Sequence, residues 1–325
     1  MIEITPWHWI GFIVGVVFFL ALDLGLFNRR ARLVKFREAV AWTAVWFALA
    51  MAFAGALAAG RGREEAVQFT TGYLIELSLS LDNILVIALI FAWFKIPREH
   101  QHRLLFWGIL GALVMRGAMI LAGAELIQAF DWVLYVFGAF LVFTGGRMLF
   151  SGKETVRPEK NLALRAARKF FAVAPELDGQ KFFTRQDGRF ALTPLAVTLL
   201  LIETTDLIFA LDSVPAVFSV TRNAFIVFTS NIFAILGLRS LYFLLAGALD
   251  YFRYLKIGLS VVLVFIGIKM LIDPHDRPEA KWFQVELPTG VSLMVVATII
   301  IIAIVLSVMV AEREKRTRAG NSVKP

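Results

Sequence analysis

The chain has 325 residues, of which 59% are hydrophobic and 18% charged, with a formal net charge of +8 at pH 7. Soluble domains are about 45–50% apolar and about 25% charged, so this composition excludes an ordinary soluble protein and indicates a polytopic membrane protein. The chain has no cysteine, which excludes disulfides, thiolate metal sites and thiol catalysis. The positive charge does not indicate a nucleic-acid partner, because Lys and Arg flank apolar runs as they do beside membrane helices.

The first apolar run, residues 7–27, is long enough to cross about 30 Å of hydrocarbon. Basic residues from Arg29 to Arg37 follow it, so we expect a retained first helix with its N-terminus outside and with Asp23 near its inner end. Eight further apolar runs predict spans at 39–59, 69–93, 104–124, 131–150, 192–217, 224–247, 255–272 and 289–310. The sequence therefore predicts an all-α membrane protein with about nine transmembrane helices in one domain, 1–325.

The distribution of Lys and Arg tests this count of spans. The segments predicted to be cytoplasmic hold 25 of the 33 basic residues, the external segments hold five, and three lie within spans. Cytoplasmic loops of membrane proteins hold the excess of Lys and Arg. We therefore expect the N-terminus outside and the C-terminus in the cytoplasm.

The polar stretch 151–190 is predicted to be a cytoplasmic loop. Residues 161–173 mix apolar and basic residues at near-helical spacing, which is typical of an interfacial helix. The turn pair Asp187 and Gly188 lies between two short β-prone runs and predicts a small hairpin. The alternative is a solvated linker that only reconnects two halves.

An internal repeat flanks that loop. Three pairs of features recur in the same order: L-V-F-T-G-G-R-M-L at Leu141–Leu149 with L-V-F-I-G-I-K-M-L at Leu263–Leu271, Arg116 with Arg239, and L-D-N at Asp82 with L-D-S at Asp212. They predict two duplicated units of three helices, spans 3–5 within 38–150 and spans 6–8 within 191–272. Because each unit has an odd number of helices, the two units are predicted to be inverted, as in secondary transporters.

Five carboxylates lie in the interior of two predicted spans, 69–93 and 192–217: Glu76, Asp82, Glu203, Asp206 and Asp212. Each ionised carboxylate facing lipid would cost about 2.5–3.5 kcal/mol on insertion scales. We therefore expect these acids to face inward and to have partners.

Helical spacing indicates which of these side chains share a face. Seven residues are close to two helical turns, so Glu76 and Asn83 lie on one face, as do Asp206 and Ser213. Glu203 precedes Asp206 by three residues and shares the second face. A proline inside a helix removes a hydrogen bond, so Pro215 predicts a kink beside Asp212. Freed carbonyls and Asp212 could then converge with Asp82 on one ion.

The candidate ligands are all oxygens of Asp, Glu, Asn, Ser and Thr, which suit Mg²⁺, Ca²⁺ or Mn²⁺. The four histidines fall at helix ends or in loops, which disfavours zinc and copper. No resident cofactor is expected, because the ion is the predicted substrate.

Arg116 and Arg239 are the predicted counter-charges of the acids, and Asp23 is a further candidate for a gating charge. One hypothesis is that the arginines pair with the acids when no ion is bound. A second hypothesis is that protons do so, which would give cation/proton antiport. The structural alternative is that each arginine only braces a helix contact.

The motifs E-L-S-L-S-L-D-N (Glu76–Asn83) and E-T-T-D-L-I-F-A-L-D-S-V-P-A (Glu203–Ala216), with A-L-D-L-G-L-F (Ala21–Phe27) and T-P-L (Thr193–Leu195), resemble the TerC family of bacterial integral membrane proteins. The resemblance implies a LysE-like transporter of the bacterial inner membrane that exports Mn²⁺, with links to tellurite resistance and to the alkaline-pH response. It also implies functional roles at seven motif positions: Glu76, Asp82, Asn83, Glu203, Asp206, Asp212 and Ser213.

Alternatives from the residues themselves stay open. The oxygen ligands suit Ca²⁺ as well as Mn²⁺, and a cationic amino acid is another possible substrate. The protein could instead be a membrane scaffold in a tellurite or stress-resistance complex, with its acids paired to arginine for helix assembly. No enzyme is expected, because the spans contain no histidine and no nucleophile–base pair. Membrane lipid is the one other expected partner, and no oligomeric state is predicted.

Overall fold

The computed structural model describes residues 5–22, 36–150, 161–186, 188–245, 255–273, 285 and 287–321. Over these residues it contains helices and short strands in this order: α1 Pro6–Leu22, α2 Phe36–Gly60, α3 Arg63–Trp93, α4 Arg98–Ala129, α5 Val133–Phe150, α6 Leu162–Phe170, β1 Ala172–Val173, β2 Phe183–Gln186, β3 Arg189–Leu192, α7 Pro194–Phe218, α8 Ala224–Leu245, α9 Leu255–Ile272 and α10 Thr289–Asn321.

The predicted all-α membrane fold is confirmed. Eight of the described helices, α2 to α5 and α7 to α10, are long and apolar enough to span a membrane. The predicted first span corresponds to α1, which is apolar but has 17 described residues, fewer than the roughly 20 that a bilayer requires. Asp23 and the rest of that predicted span lie outside the described residues.

Two helices form the centre of the molecule. In α3 and α8 the apolar stretch is 72% buried, whereas in α2 and α10 it is only 22% and 17% buried. A helix that is apolar all round needs either a protein core or lipid around it. We infer that α3 and α8 build the core and that α2 and α10 lie at its periphery, facing lipid.

Helix α7, which holds three of the predicted site acids, starts at a well-defined cap. Thr193 is the N-cap residue and its hydroxyl accepts a hydrogen bond from the Ala196 N–H, while Pro194 occupies the first turn, where its missing N–H costs nothing. The helix continues through Pro215 and ends at Phe218. The cap fixes where α7 starts, and it thereby fixes the position of the acids along the helix axis.

Helices α5 and α9 make the most extensive contact between two helices, and glycines allow it. A Cβ on Gly267 would lie 2.7 Å from the Gly138 carbonyl oxygen, and one on Gly145 would lie 2.8 Å from the Ser260 carbonyl oxygen. As the residue number rises along α5, the residue number of the contacting position on α9 falls. The two helices are therefore antiparallel. An inverted repeat requires this arrangement of its third helices, and the duplication itself stays a prediction.

The segment between α5 and α7 contains the helix and hairpin that the sequence predicts. Helix α6 starts at Asn161, whose side chain accepts a hydrogen bond from the Leu164 N–H at 3.0 Å. Strands β2 and β3 pair antiparallel with Gln186 opposite Arg189, and Gly188 in the turn has φ +77°. Asp187 lies outside the described residues. The parallel pairing of β1 with β3 was missed, because a two-residue strand has no periodicity.

Candidate functional site

Arg116 on α4 is the centre of a buried polar cluster, and its side chain is 1% exposed. Its Nε and Nη2 donate to the two carboxylate oxygens of Asp206 on α7, at 3.0 and 2.8 Å. Its Nη1 donates to Glu76 Oε1 on α3 and, at 3.2 Å, to Ser213 Oγ on α7. One guanidinium thus joins three helices through two carboxylates.

Two asparagines complete this cluster. Asn83 Nδ2 on α3 donates to Asp206 Oδ1 at 2.7 Å, and Asn231 Nδ2 on α8 donates to Glu76 Oε2 at 2.8 Å. We call the six residues the Arg116 network: Glu76, Asn83, Arg116, Asp206, Ser213 and Asn231. All six are at least 96% buried, so within the described structure their charged groups interact with one another and not with solvent.

The charges of this network are unequal. Two carboxylates face a single guanidinium, so the ionised network has one negative charge in excess. Burying an ion pair is favourable only when the remaining lone pairs also find donors, and the two asparagine amides and Ser213 meet part of that demand. The excess charge makes the cluster a place where a further positive charge would be stabilised.

The sequence spacing anticipated the geometry of four network residues. Glu76 and Asn83 face the network from α3, as their seven-residue separation predicts, and Asp206 with Ser213 faces it from α7. Arg116 is paired with the acids, as one of the two counter-charge hypotheses requires. The network therefore unites four of the seven residues that the sequence predicts at a metal site.

Glu203, a fifth member of that predicted set, lies beside the network. Its carboxyl group packs against Gly111 of α4 so closely that a Cβ at that position would overlap it. Its Oε2 is buried and has no hydrogen-bond partner among the described residues. Glu203 and Asp206 are one turn apart on α7. Of the two, Asp206 is the residue whose carboxylate hydrogen-bonds to Arg116.

The remaining two predicted ligands, Asp82 and Asp212, are not among the six residues of the Arg116 network. Asp82 is 9% exposed and lies next to Asn83 on α3, about 100° around the helix from it. Asp212 is partly exposed and hydrogen-bonds to Thr144 of α5. Over the described residues no three Asp, Glu or His side chains lie close enough together to hold a metal ion. An ion held by carboxylates alone would therefore need a rearrangement of these helices.

The other predicted residues are placed as follows. Arg239 lies on α8, partly exposed, eight residues beyond Asn231. Pro215 is fully inside α7 and buried, three residues before its last residue. Asp23 is not described. Asn231 is the network residue that sequence reasoning missed; its only signal was an amide inside an otherwise apolar span.

A cavity of about 20 Å³ adjoins the network. Asn83 and Asp206 form its polar end, and its other walls are small or aliphatic: Ile87, Leu105, Gly108, Ile109, Ala112, Ile202, Ile235 and Leu238. These residues all belong to the parts of α3, α4, α7 and α8 that the predicted topology places toward the cytoplasm. A space of about 10–15 Å³ accommodates one water molecule, so this cavity has room for one.

A larger cavity of about 760 Å³ lies toward the opposite ends of the helices. Its lining includes the basic residues Arg63, Arg222 and Lys269, and the acids Glu64 and Asp273. The buried Lys269 donates from Nζ to the Ser219 carbonyl oxygen at the end of α7, at 3.3 Å. The predicted topology makes this an external, polar cavity.

The fold and the site define a polytopic membrane protein with an ion-paired cluster buried between four of its helices. Residues 61–315 match the family described as "Integral membrane protein TerC family". The chain belongs to the TerC family.

Relatives extend along almost the whole chain. This chain is 49% identical to "Uncharacterized membrane protein STKORF319" of Myxococcus xanthus over 305 residues, which cover 94% of this chain and 93% of the relative. It is 43% identical over 325 residues, 97% and 98% of the two chains, to "Putative membrane-bound redox modulator Alx" of Escherichia coli K12. An uncharacterized membrane protein of Rickettsia bellii is 38% identical over 301 residues, 93% and 97%. No solved structure matches.

Proposed function

We propose that this chain is a secondary transporter that exports a hard divalent cation, Mn²⁺, from the cytoplasm. The observation that supports it best is the Arg116 network: two carboxylates and one guanidinium buried in the middle of membrane-spanning helices. Ionisable residues within membrane helices are costly and typically mark ion or substrate pathways. The resemblance of the motif acids to the TerC family supports Mn²⁺ as the ion.

In this proposal Arg116 is the counter-charge of the acids in the ion-free protein. A divalent cation competes with the guanidinium for Glu76 and Asp206, because both require carboxylate oxygens. Its two charges would balance the two carboxylates, whereas the guanidinium balances only one. Alternating access of the two predicted three-helix units then exposes the site to either side of the membrane, and protons are the proposed driving ion.

A different substrate is the first alternative. All side-chain ligands of the network are oxygens, and oxygens bind Ca²⁺ as well as Mn²⁺. Uptake into vesicles with each ion in turn discriminates between the two. The E. coli relative is named a redox modulator, and a redox role of this chain would have to act without thiols, because it has no cysteine.

A membrane scaffold is the alternative from another class. The same Arg116 network would then only assemble helices α3, α4, α7 and α8. The two functions predict different effects of replacing the network acids with neutral residues. If the protein is a scaffold, the replacement changes the retention of partner proteins and leaves the cellular ion content unaltered.

The test is the total manganese, by elemental analysis, of Mn²⁺-challenged cells that lack their own exporter. These cells express the native chain, Asp206→Asn, the double variant Asp82→Asn with Asp212→Asn, or an empty vector, at matched membrane levels. We expect lower manganese with the native chain than with Asp206→Asn or the empty vector, and the double variant measures whether Asp82 and Asp212, which are outside the Arg116 network, also take part in export. Equal manganese in all four would overturn Mn²⁺ export.

A further inference from the structure

The two asparagines of the Arg116 network share an unusual feature. Asn83 and Asn231 each donate an amide N–H to a network carboxylate, and each leaves its own carbonyl oxygen, Oδ1, buried with no hydrogen-bond partner in the described structure. The two residues are 1% and 0% exposed. A buried polar atom without a partner is energetically unfavourable, and it occurs here twice in one cluster.

The assignment of these oxygens follows from the chemistry of their partners. Ionised carboxylates only accept hydrogen bonds, so the amide atom that faces each acid must be the nitrogen. The carbonyl oxygen of each asparagine is therefore the atom left over. Such a carbonyl oxygen, lying beside a carboxylate, can accept a hydrogen bond or bind a cation.

A cavity adjoins one of these asparagines, Asn83. Asn83 and Asp206 together form the polar end of the 20 Å³ space beside the network. The space has room for one water molecule, which could donate to Asn83 Oδ1 and to Asp206. The rest of the lining offers no polar side chain, so whatever occupies the cavity interacts with the network alone.

The Arg116 network contains enough oxygen atoms to fill the coordination shell of a metal ion. One oxygen each from Glu76, Asp206, Ser213, Asn83 and Asn231 makes five, and a water molecule in the cavity makes six. Six oxygen ligands in octahedral geometry are typical of Mg²⁺ and Mn²⁺. Three of the five protein ligands already surround the guanidinium.

We propose that Asn83 and Asn231 are ligands of the transported cation through their carbonyl oxygens, and that the cation takes the place of the Arg116 guanidinium. The proposal rests on cation transport by this site. It adds Asn231, on α8, to ligands from α3 and α7, so that two helices of the second predicted unit and one of the first contribute to ion binding. Neutral amide oxygens complete the shell without adding negative charge, which leaves the ion-bound site electrically balanced.

The test measures Mn²⁺ binding to the purified full-length protein in detergent, by electron paramagnetic resonance of the unbound ion. Asn231→Leu and Asn83→Leu remove an oxygen at similar volume, and Asn231→Asp keeps an oxygen but removes the donor to Glu76. Ser230→Ala is the matched control: Ser230 is the equally buried neighbour of Asn231, and its hydroxyl donates to the Val227 carbonyl.

We expect each leucine variant to raise the Mn²⁺ dissociation constant at least about tenfold, the range typical of losing a residue that supports a metal site. Ser230→Ala should stay within about threefold of the native protein, and Asn231→Asp, which keeps an oxygen ligand, should bind Mn²⁺ at least about tenfold more tightly than Asn231→Leu. If Asn231 only held Glu76 in place, Asn231→Asp would bind as weakly as Asn231→Leu, and the proposal would be overturned. Native-like binding by both leucine variants would overturn it as well.

A second measurement does not depend on the folding of variants. Native protein made with ¹³C in the asparagine side-chain carbonyl and loaded with Mn²⁺ should show hyperfine coupling from a directly bound carbonyl group. Lack of that coupling in a protein that binds Mn²⁺ would refute asparagine ligation and leave Mn²⁺ transport standing. A native chain that binds no Mn²⁺ would refute both.

Discussion

The Arg116 network and the contact between α5 and α9 join the helices of this protein in opposite ways. In the network, helices α3, α4, α7 and α8 are connected by charged hydrogen bonds. Between α5 and α9, Gly138, Gly145 and Gly267 let two backbones approach until a single added methyl group would collide. Close packing of small residues is the general way in which membrane helices associate.

The Arg116 network and the contact between α5 and α9 contribute differently to stability and to function. Lipid tails are as apolar as leucine, so helices in a membrane can associate through packing alone, as α5 and α9 do. Buried ion pairs are a poor source of stability because desolvation offsets their attraction. Close packing can associate membrane helices without the desolvation cost of buried charges, and this favours an ion-handling role for the network.

The largest effect should come from Arg116→Gln. It leaves Glu76 and Asp206 buried without their counter-charge, and breaking a buried pair in this way costs about 3–5 kcal/mol. We expect the free energy of unfolding, measured by reversible denaturation in mixed micelles, to fall by that amount, and added Mn²⁺ to restore part of it. Arg168→Gln, on the exposed face of α6, is the control, and an equal effect of the two would argue against the network as described.

A smaller effect is expected at the glycine contact. Gly145→Ala places a methyl group 2.8 Å from the Ser260 carbonyl oxygen, whereas Gly146→Ala meets nothing within 4 Å. Overpacking costs about 1–3 kcal/mol, so Gly145→Ala should lower thermal stability in detergent and Gly146→Ala should not. Mn²⁺ binding by the folded fraction should be unaltered in both, and loss of binding in Gly145→Ala would mean that the two regions are coupled.

Gly111→Ala tests the position of Glu203, which packs against α4 beside the Arg116 network. The added methyl group would overlap the Glu203 carboxyl group, so that side chain must move, at a cost of about 1 kcal/mol or more. We expect a modest loss of thermal stability that Gly111→Ala with Glu203→Ala relieves. If the double variant is no more stable than Gly111→Ala alone, Glu203 does not pack at this glycine.

The smallest effect should lie outside the membrane, in the hairpin. Hydrogen bonds from Thr184 and Lys181 lower the pKa of Asp178. A lowered pKa stabilises the folded state above the ordinary value, about 3.9, and this stabilisation is lost as the pH falls through the lowered pKa. The protection of the β2–β3 amides, measured as the exchange rate relative to the intrinsic rate at each pH, should therefore fall below pH 4 in the native chain, and Asp178→Asn should remove this pH dependence.

Local spacing predicted much of the fold and part of the site. The apolar runs located eight spanning helices, with ends within about six residues of the observed spans, and seven-residue spacing placed Glu76 with Asn83 and Asp206 with Ser213. Hydropathy could not locate Asn231, because a lone amide scarcely changes the apolar character of α8. Nor could spacing tell that Asp212 meets Thr144 on another helix, because contacts between distant helices depend on their packing.

Mn²⁺ flux into proteoliposomes tests the central claim most directly, namely that the acids of the Arg116 network bind the transported ion. The native protein and Asp206→Asn are reconstituted at equal density, and an Mn²⁺-quenched dye inside the vesicles reports the flux. We predict flux with the native protein and at least about a tenfold loss with Asp206→Asn, while Ser230→Ala stays close to native. Equal flux with native protein and Asp206→Asn would contradict the account, because the ion would then cross the membrane without this network.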